Sequence, residues 1–346
     1  MKLEEFNYNL PEELIAQKPC ISRDHSRMMV VDRNSGKIDH KFFYDMPEFL
    51  KQGDVLVTNN SRVIPARLTG KKATGGLVEM LLLSRNGRSS PKSQIWEVLL
   101  RPARRIGIGT QIFFGDQGRA EVIERISEKK WYLKFETETE FDNFLERHGR
   151  APLPPYIKRG KDEKRSLEDI ERYQTIYASV PGSVAAPTAG LHFSPYLLTT
   201  LKEKGFDIVS VTLHVGYGTF LSIETESVED HSMEKEFFAV GEETARTVNR
   251  AQRVIAVGTT STRVLESVAD DMGTIKQSSG HTALFIYPEY RFKRVNVLLT
   301  NFHLPKSSLF LLVCAFGGKD LIREAYKKAI EEKYRFYSYG DCMLIL

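Results

Sequence analysis

Hydrophobic and polar positions follow two different patterns along this chain, and the change between them divides the sequence. From about Arg67 to Phe135, short apolar runs such as QIWEVLL and WYLKFE are separated by Gly-rich or charged turns such as RNGRSSPKS and GDQG. Several short strands at this spacing are typical of a small closed barrel or sandwich. We therefore predict an inserted all-β, barrel-like domain over residues 67–149.

The chain on either side of the insertion has an α/β pattern. Before it, PEELIAQ (11–17) predicts a helix. After Gln174, the strand-like DIVSVTLHV, RVIAVGTT and TALFIY alternate with the helix-like EETARTVNRAQ and STRVLESVADD, and NVLLTNF, SSLFLLVCAF and KDLIREAYKKAIEEKY follow. Such alternation predicts an α/β sheet whose strand ends carry loops able to form a site. We predict that residues 1–66 and 150–346 form one discontinuous α/β catalytic domain.

Composition narrows the class of protein. The 346 residues are 41% hydrophobic and 27% charged, and no apolar run approaches the roughly 18 residues that a membrane span requires. The start MKLEEFNYNL resembles no export signal, and Cys20, Cys314 and Cys342 lack pairing or metal-ligand spacing. We expect a soluble, cytoplasmic protein with no membrane partner. The net charge of +4 is compatible with a nucleic-acid partner but does not establish one.

Three histidines occur in similar settings, beside an apolar strand and a Gly-, Thr- or Pro-containing turn. They are His192 in AGLHFS, His214 in VTLHVGYGTF and His303 in LLTNFHLPKSS. Ser194 and Pro195 mark a helix start directly after the first of these loops. A single such histidine is more often structural, but three together favour a shared site. HxH and HExxH spacings are absent and carboxylates are few nearby, so we predict no metal site.

Other loops carry groups suited to a polar or planar ligand. In VIAVGTTSTRVLES, a buried strand runs into Gly258, Thr259, Thr260 and Ser261, with a helix predicted from about Thr262. Amides and hydroxyls at such a helix start, with the cation of Arg263, suit a phosphate, a carboxylate or ribose hydroxyls. An ordinary capped helix is the alternative.

Two further loops have the same ambiguity. Gly216 and Gly218 flank Tyr217, so the backbone could approach a planar ligand on which Tyr217 or Phe220 stacks, or the glycines could serve a hairpin turn. Asn59, Asn60 and Arg62 lie at a predicted strand end and suit a base edge or a phosphate, although Asn-rich turns are common.

Taken in order, these segments resemble a known family. NNSRVIPARL, PLPPYI, YQTIYA, PGSVAAPTAGLHFS, VTLHVGYGTF, VIAVGTTSTRVLES, LLTNFHLPKSSL and YRFYSYGDCML are similar to motifs of the S-adenosylmethionine:tRNA ribosyltransferase-isomerases of queuosine biosynthesis. The resemblance implies an α/β domain with an inserted β-barrel. It also implies transfer of the ribosyl portion of S-adenosylmethionine to 7-aminomethyl-7-deazaguanine at the tRNA wobble position. Isomerisation would give epoxyqueuosine, with release of adenine and methionine.

This chemistry suggests roles for the residues. The carbon beside a sulfonium is weakly acidic and adenine must leave protonated, and histidine suits both proton transfers. We expect His192, His214 and His303 to perform or orient these transfers, with Thr188, Thr219 and Thr300 as hydrogen-bond partners. The 258–261 turn and Arg263 would hold the ribose hydroxyls or the methionine carboxylate, and Asn59, Asn60 and Arg62 would face the deazaguanine or its phosphate. The remaining binding candidates are Pro187, Gly190, Gly216, Tyr217, Gly218, Phe220 and Asn301.

S-adenosylmethionine is then a consumed substrate, with no permanently bound cofactor, and the precursor-bearing tRNA is the partner of a monomeric protein. The chain departs from the family pattern at Glu234, where a second histidine is expected, at Glu289, where Gly is expected, and at Asn296, where Asp is expected. The roles of these three residues are therefore open.

Two other functions remain as alternatives. A phosphoribosyltransferase-like enzyme would use VIAVGTTST as its phosphate loop, but Ala251, Gln252 and Arg253 replace the acidic pair that usually precedes such a loop. A non-catalytic RNA-binding protein would use the basic stretches RPARR, KRGKDEKR and YRFKR. That alternative leaves the histidine loops unexplained.

Overall fold

The computed structural model describes residues 1–103, 106–159, 167–220 and 222–346, with the backbone alone at Arg88, Ser89, Leu167, Thr219 and Phe220. The strands before the barrel are β1 (Arg27–Val31), β2 (Ile38–Phe42), β3 (Asp54–Asn59) and β4 (Ser61–Val63). The barrel strands are β5 (Arg67–Lys72), β6 (Leu77–Ser90), β7 (Ser93–Arg101), β8 (Gln111–Phe113), β9 (Gly118–Arg125) and β10 (Lys130–Thr137). The later strands are β11 (Val180–Ser183), β12 (Asp207–Leu213), β13 (Glu236–Val240), β14 (Arg253–Val257), β15 (Ser278–Thr282), β16 (Val297–Asn301) and β17 (Cys342–Ile345).

Helices connect and cover these strands. The α-helices are α1 (Phe141–His148), α2 (Leu167–Arg172), α3 (Pro195–Glu203), α4 (Glu242–Arg250), α5 (Gly258–Val268), α6 (Ser308–Gly317) and α7 (Lys319–Glu331). Short 3-10 helices span Leu3–Phe6, Glu12–Leu14, Arg23–His25, Phe43–Phe49, Thr188–His192, Tyr217–Phe220 and Val228–Asp230. No helix among the described residues is both long and apolar enough to cross a membrane.

The main domain is built on a nine-stranded sheet in the order β15-β13-β12-β3-β14-β16-β17-β1-β2. Strands β12, β3, β14 and β16 are parallel neighbours, and every residue of β3 and β16 is buried, as expected for strands covered by helices on both faces. Strand β1 pairs in parallel with β17, so the two ends of the chain lie side by side in one sheet. This confirms the predicted α/β domain made from both ends.

The insertion is a closed barrel in the order β10-β7-β6-β5-β8-β9. Buried and less buried residues alternate along β7, because every second side chain of a strand points inward. Phe141 and Phe144 of α1 pack into the same hydrophobic cluster as the barrel strands. The predicted barrel-like domain is thus confirmed. The chain enters and leaves it at one place, where the backbones of Arg67 and Arg150 are hydrogen-bonded, while the exact boundaries 66/67 and 149/150 stay a prediction.

Some local predictions were wrong. The helix after β14 begins at Gly258 rather than near Thr262, because the hydroxyls of Ser261 and Thr262 donate back to the carbonyls of Val257 and Gly258 within the first turns. Residues 11–17 form only the short 3-10 helix Glu12–Leu14.

The sheet edge also differs from the expectation. TALFIY (282–287) is irregular beyond Thr282, and the strand there is β15. Strand β13, which pairs with it, was not predicted.

Candidate functional site

A cleft of about 1920 Å³ lies between the barrel and the main domain. Trp96 and Lys130 line it from the barrel, and His214 and Phe237 line it from the main domain. Its cationic lining residues are Arg23, Arg62, Arg85, Lys130 and Lys235, and acidic side chains lie among them. Because ligand pockets usually measure about 300–1,000 Å³, this cleft has room for a nucleoside-sized molecule and for part of a larger substrate.

His214 follows the last residue of β12 and lies on the wall of this cleft. Its Nδ1 shares a hydrogen bond of 2.8 Å with the hydroxyl of Ser61, and its ring stacks on Phe237 with centroids 5.4 Å apart. A side chain at Gly182 would meet the imidazole Nε2 at 2.6 Å, so glycine is needed for this close approach. Partial burial lowers the pKa of His214 below its usual 6.5, so its neutral form, which can accept a proton, is favoured.

Asn59 and Asn60 hold the strand ends beneath His214. The Asn59 amide donates to the carbonyl of Leu213, and its Oδ1 accepts from the amides of Ser61 and Leu213. The Asn60 Oδ1 accepts from the hydroxyl of Thr212. Neither asparagine lines the cleft, whereas the neighbouring Arg62 does. The asparagines therefore orient the strand ends that carry His214 and Arg62.

The glycine-flanked tyrosine also lies at the cleft, where Gly216, Tyr217 and Gly218 form part of the wall. The amide of Gly216 donates to Glu236 Oε1 at 2.8 Å. The predicted partners Thr219 and Phe220 have side chains that lie outside the described part of the structure. The predicted placement of Gly216, Tyr217 and Gly218 beside a ligand-sized space therefore agrees with the structure.

A second, much smaller cavity of about 50 Å³ contains most of the other predicted site residues. Those lining it are Pro187, Thr188, Gly258, Thr259, Thr260, Thr300, Asn301 and His303. Its volume suits one or a few water molecules rather than a nucleoside. Val215 lines both cavities, so they are separated by a thin wall.

His303 is tightly held beside the small cavity. Its Nε2 shares a hydrogen bond of 2.7 Å with the hydroxyl of Thr300, and its amide donates to the hydroxyl of Tyr326. Burial lowers the pKa of His303 to about 3. The imidazole is therefore neutral at physiological pH and part of the core.

His192 lines neither of the two cavities, and the same is true of Gly190, Ser261 and Arg263. The His192 ring packs on Phe43, and its Nδ1 shares a hydrogen bond of 2.6 Å with Ser26. Burial, aided by the cation of Arg335, lowers the pKa of His192 to about 3. The structure therefore does not bring the three predicted histidines into one cavity: one lies in the cleft, one beside the small cavity and one in the core.

Comparison with known proteins agrees with this architecture. The family model described as "Queuosine biosynthesis protein" matches residues 3–345. The chain belongs to this family. The chain is 60% identical to the S-adenosylmethionine:tRNA ribosyltransferase-isomerase of Syntrophus aciditrophicus, over 100% of both chains. It is 51% identical to the protein of that name from Natranaerobius thermophilus, over 100% of this chain and 99% of the relative.

A solved structure is also similar. The crystal structure of S-adenosylmethionine tRNA ribosyltransferase from Thermotoga maritima shares 36% identity with a TM-score of 0.56, over 99% of this chain and 100% of that one. The α/β domain with an inserted barrel is therefore the fold of the queuosine biosynthesis family.

The structure places the three residues at which this chain departs from the expected family pattern. Glu234 forms an ion pair with Lys130 of the barrel across the cleft. Asn296 accepts from the amide of Val254 at 2.8 Å and so joins the start of β14 to the segment before β16. Glu289 has φ of 80°, a left-handed backbone conformation that favours the glycine expected there.

Sequence reasoning missed several cleft residues of this queuosine biosynthesis protein. His281 lines the cleft, and Phe237 lies between the rings of His214 and His281. Phe237 and His281 were missed with β13, whose EFFAV pattern pairs the two residues across the sheet edge. Among the described residues, no group of three or more His, Cys, Asp or Glu side chains is placed to hold a metal ion.

Proposed function

We propose that this protein transfers the ribosyl portion of S-adenosylmethionine to 7-aminomethyl-7-deazaguanine at the wobble position of tRNA. It then isomerises the product to epoxyqueuosine and releases adenine and methionine. The observation that carries this proposal is the 60% identity, over the full length of both chains, to a relative named S-adenosylmethionine:tRNA ribosyltransferase-isomerase. S-adenosylmethionine is consumed in the reaction, and no permanently bound cofactor takes part.

The cleft supports this function by its size and its chemistry. It accommodates S-adenosylmethionine together with a nucleotide of a tRNA that remains outside. Arg62, Arg85 and Lys235 are cations on the cleft lining that can pair with phosphates or with the methionine carboxylate. The ring of Tyr217 offers a surface on which a base can stack.

His214 performs a proton transfer in this reaction. It is the histidine of the predicted three that lines the cleft, and it is largely neutral at physiological pH. Ser61 fixes the orientation of its ring. His192 and His303 keep the surrounding loops in place instead, because both are buried and held by internal hydrogen bonds.

The residues predicted to bind the ribose hydroxyls or the methionine carboxylate also lie outside the cleft. The 258–261 turn is the start of α5, and its residues line a cavity too small for a ribose or are buried in the helix. Arg263 is paired with Glu236. The ribose hydroxyls and the methionine carboxylate therefore bind to groups of the cleft.

Adenine release tests the function. The folded protein is incubated with S-adenosylmethionine and a tRNA that carries 7-aminomethyl-7-deazaguanine, and free adenine and the modified nucleoside are measured by mass spectrometry. We expect both products, in equal amounts, and neither when the tRNA carries unmodified guanine. A phosphoribosyltransferase would release pyrophosphate from a phosphoribosyl donor, and an RNA-binding protein would release nothing. Either of those results, with the protein folded, would contradict the proposal.

The cytoplasmic location and the monomeric state remain predictions of the sequence. Light scattering on the purified protein tests the second, for which we expect a mass near the 39.5 kDa of one chain.

A further inference from the structure

A buried ion pair lies at the cleft wall, where Glu236 is one of the lining residues and Arg263 lies behind it. Glu236 and Arg263 are 5% and 3% exposed, and the Arg263 Nη1 donates to Glu236 Oε2. The Arg263 Nε also donates to the carbonyl of Leu284 at 3.0 Å. The pair therefore joins α5 to β13 and to the segment after β15.

The other carboxylate oxygen of Glu236 reaches the cleft wall. Oε1 accepts the amide hydrogen of Gly216 at 2.8 Å, and a Cβ at Gly216 would lie 3.6 Å from this oxygen. Gly216 stands between His214 and Tyr217, both of which line the cleft. Glu236 thus fixes the backbone at the point where the chain leaves β12 and turns along the wall.

A buried ion pair is a costly way to stabilise a fold. The cost of removing the two charges from water offsets much of their attraction. Apolar residues of similar volume in the same place often give a protein equal or greater stability. Here the ion pair fixes the orientation of the Glu236 carboxylate. Because Arg263 binds one carboxylate oxygen, the other oxygen is held in place to accept the hydrogen bond from the Gly216 amide.

We propose that Glu236, oriented by Arg263, is a positioning residue for the reaction proposed above. It holds Gly216 so that His214 and Tyr217 keep their places relative to the bound substrates. The expected effect on kinetics rests on the proposed function. The hydrogen bond that holds the Gly216 amide does not depend on it and can be tested by itself. Although Glu236 lines the cleft, its two oxygens are bound to the Gly216 amide and to Arg263, so it acts through the loop rather than on a reacting atom.

The chain contains a matched control. Asp54 and Arg253 form a second ion pair between strands of the same sheet, with Asp54 side chain 1% exposed and Arg253 20% exposed. Neither residue lines the cleft or the small cavity. Loss of this pair costs stability in a comparable way but leaves the cleft wall unchanged.

The test compares Glu236→Gln with Asp54→Asn. Glu236→Gln keeps an oxygen for the Gly216 amide but removes the charge that Arg263 orients. We expect kcat for adenine release to fall about tenfold or more, because small displacements of reacting groups are costly, and KM for S-adenosylmethionine to change less than about twofold. Asp54→Asn should keep kcat within about twofold. Equal kcat values for the two variants would overturn the positioning role.

A second variant and a second readout make the test independent of folding defects and of the proposed function. If Glu236→Gln fails to fold, the double variant Glu236→Gln/Arg263→Met removes both charges, and the same fall in kcat is expected. Hydrogen–deuterium exchange over residues 211–218 should be faster in these variants than in the wild type and in Asp54→Asn. If the wild type releases no adenine, the proposed function fails, while unchanged exchange in the variants overturns the positioning of Gly216.

Discussion

The open cleft and the small cavity behind it are lined by similar loops but provide opposite environments. His214 in the cleft is partly exposed, whereas His303 beside the small cavity is buried and has a pKa of about 3. Both histidines follow an apolar strand and share a hydrogen bond with a hydroxyl group. The same local pattern therefore yields a group able to exchange protons in one place and a fixed core residue in the other. What distinguishes them is that the ring of His214 borders the cleft, whereas the ring of His303 is buried within the main domain.

The largest expected effect is a difference in kcat between variants of His214 and variants of His303. His214→Asn keeps a polar group near Ser61 but removes the Nε2 to which we assign the proton transfer, and we expect kcat for adenine release to fall by about 10²-fold or more. His303→Asn should lower the melting temperature instead, with kcat of the folded protein within about threefold of the wild type. Steady-state assays and thermal unfolding of both variants measure this. A larger loss of kcat in the second variant would reverse the comparison.

Acid should destabilise the protein through its buried histidines. His192 and His303 have pKa values of about 3 in the folded protein, below the usual 6.5. The unfolded chain then binds more protons between these values. The free energy of unfolding is therefore fully retained above about pH 6.5 and falls as the pH decreases toward 3, by up to about 1.4 kcal/mol per pH unit for each histidine.

Urea unfolding at pH 7, 6 and 5 measures this dependence. His303→Gln should remove about half of the pH dependence that the two histidines supply, and the exposed His281→Gln provides the control. An unchanged slope in His303→Gln would show that this histidine has the same pKa in the folded and unfolded states.

A smaller effect tests how the cleft histidine is oriented. Ser61→Ala removes the hydroxyl that binds His214 Nδ1, and Ser61 is completely buried. A hydrogen bond of this kind contributes about 1 kcal/mol, so we expect kcat to fall about fivefold with the fold intact. Thr300→Ala, which removes the equivalent bond of His303, should leave kcat unchanged. Equal losses in the two variants would place both histidines in the reaction.

The smallest expected effect concerns the ion pair that spans the cleft. Lys130 pairs with Glu97 of the barrel and with Glu234 of the main domain, and the Glu234 side chain is half exposed. Exposed pairs contribute about 0–1 kcal/mol, so Lys130→Gln should change the free energy of unfolding by less than about 1 kcal/mol. A greater loss, measured by urea unfolding, would show that this contact determines how the two domains pack.

The sequence allows the architecture to be predicted better than the site. Alternation along β7, the cap formed by Ser194 Oγ on the amide of Leu197, and the apolar runs of β14 and β16 are local signals that the structure confirms. The environment of a loop histidine is not local. Ser26, which binds His192, is 166 positions away in the chain, and β13 brings Phe237 against His214 only through the sheet. Reasoning from neighbours in sequence could not separate the three histidines.

The position of β17 has a consequence for the order of assembly during synthesis. The barrel closes with strands from Arg67–Lys72 to Lys130–Thr137 and is complete while much of the chain is still untranslated. β17 lies between β16 and β1, so β1 and β2 cannot join the main sheet until residues 342–345 emerge. The topology therefore allows the inserted domain to close early, whereas β1 and β2 depend on a strand that is made much later.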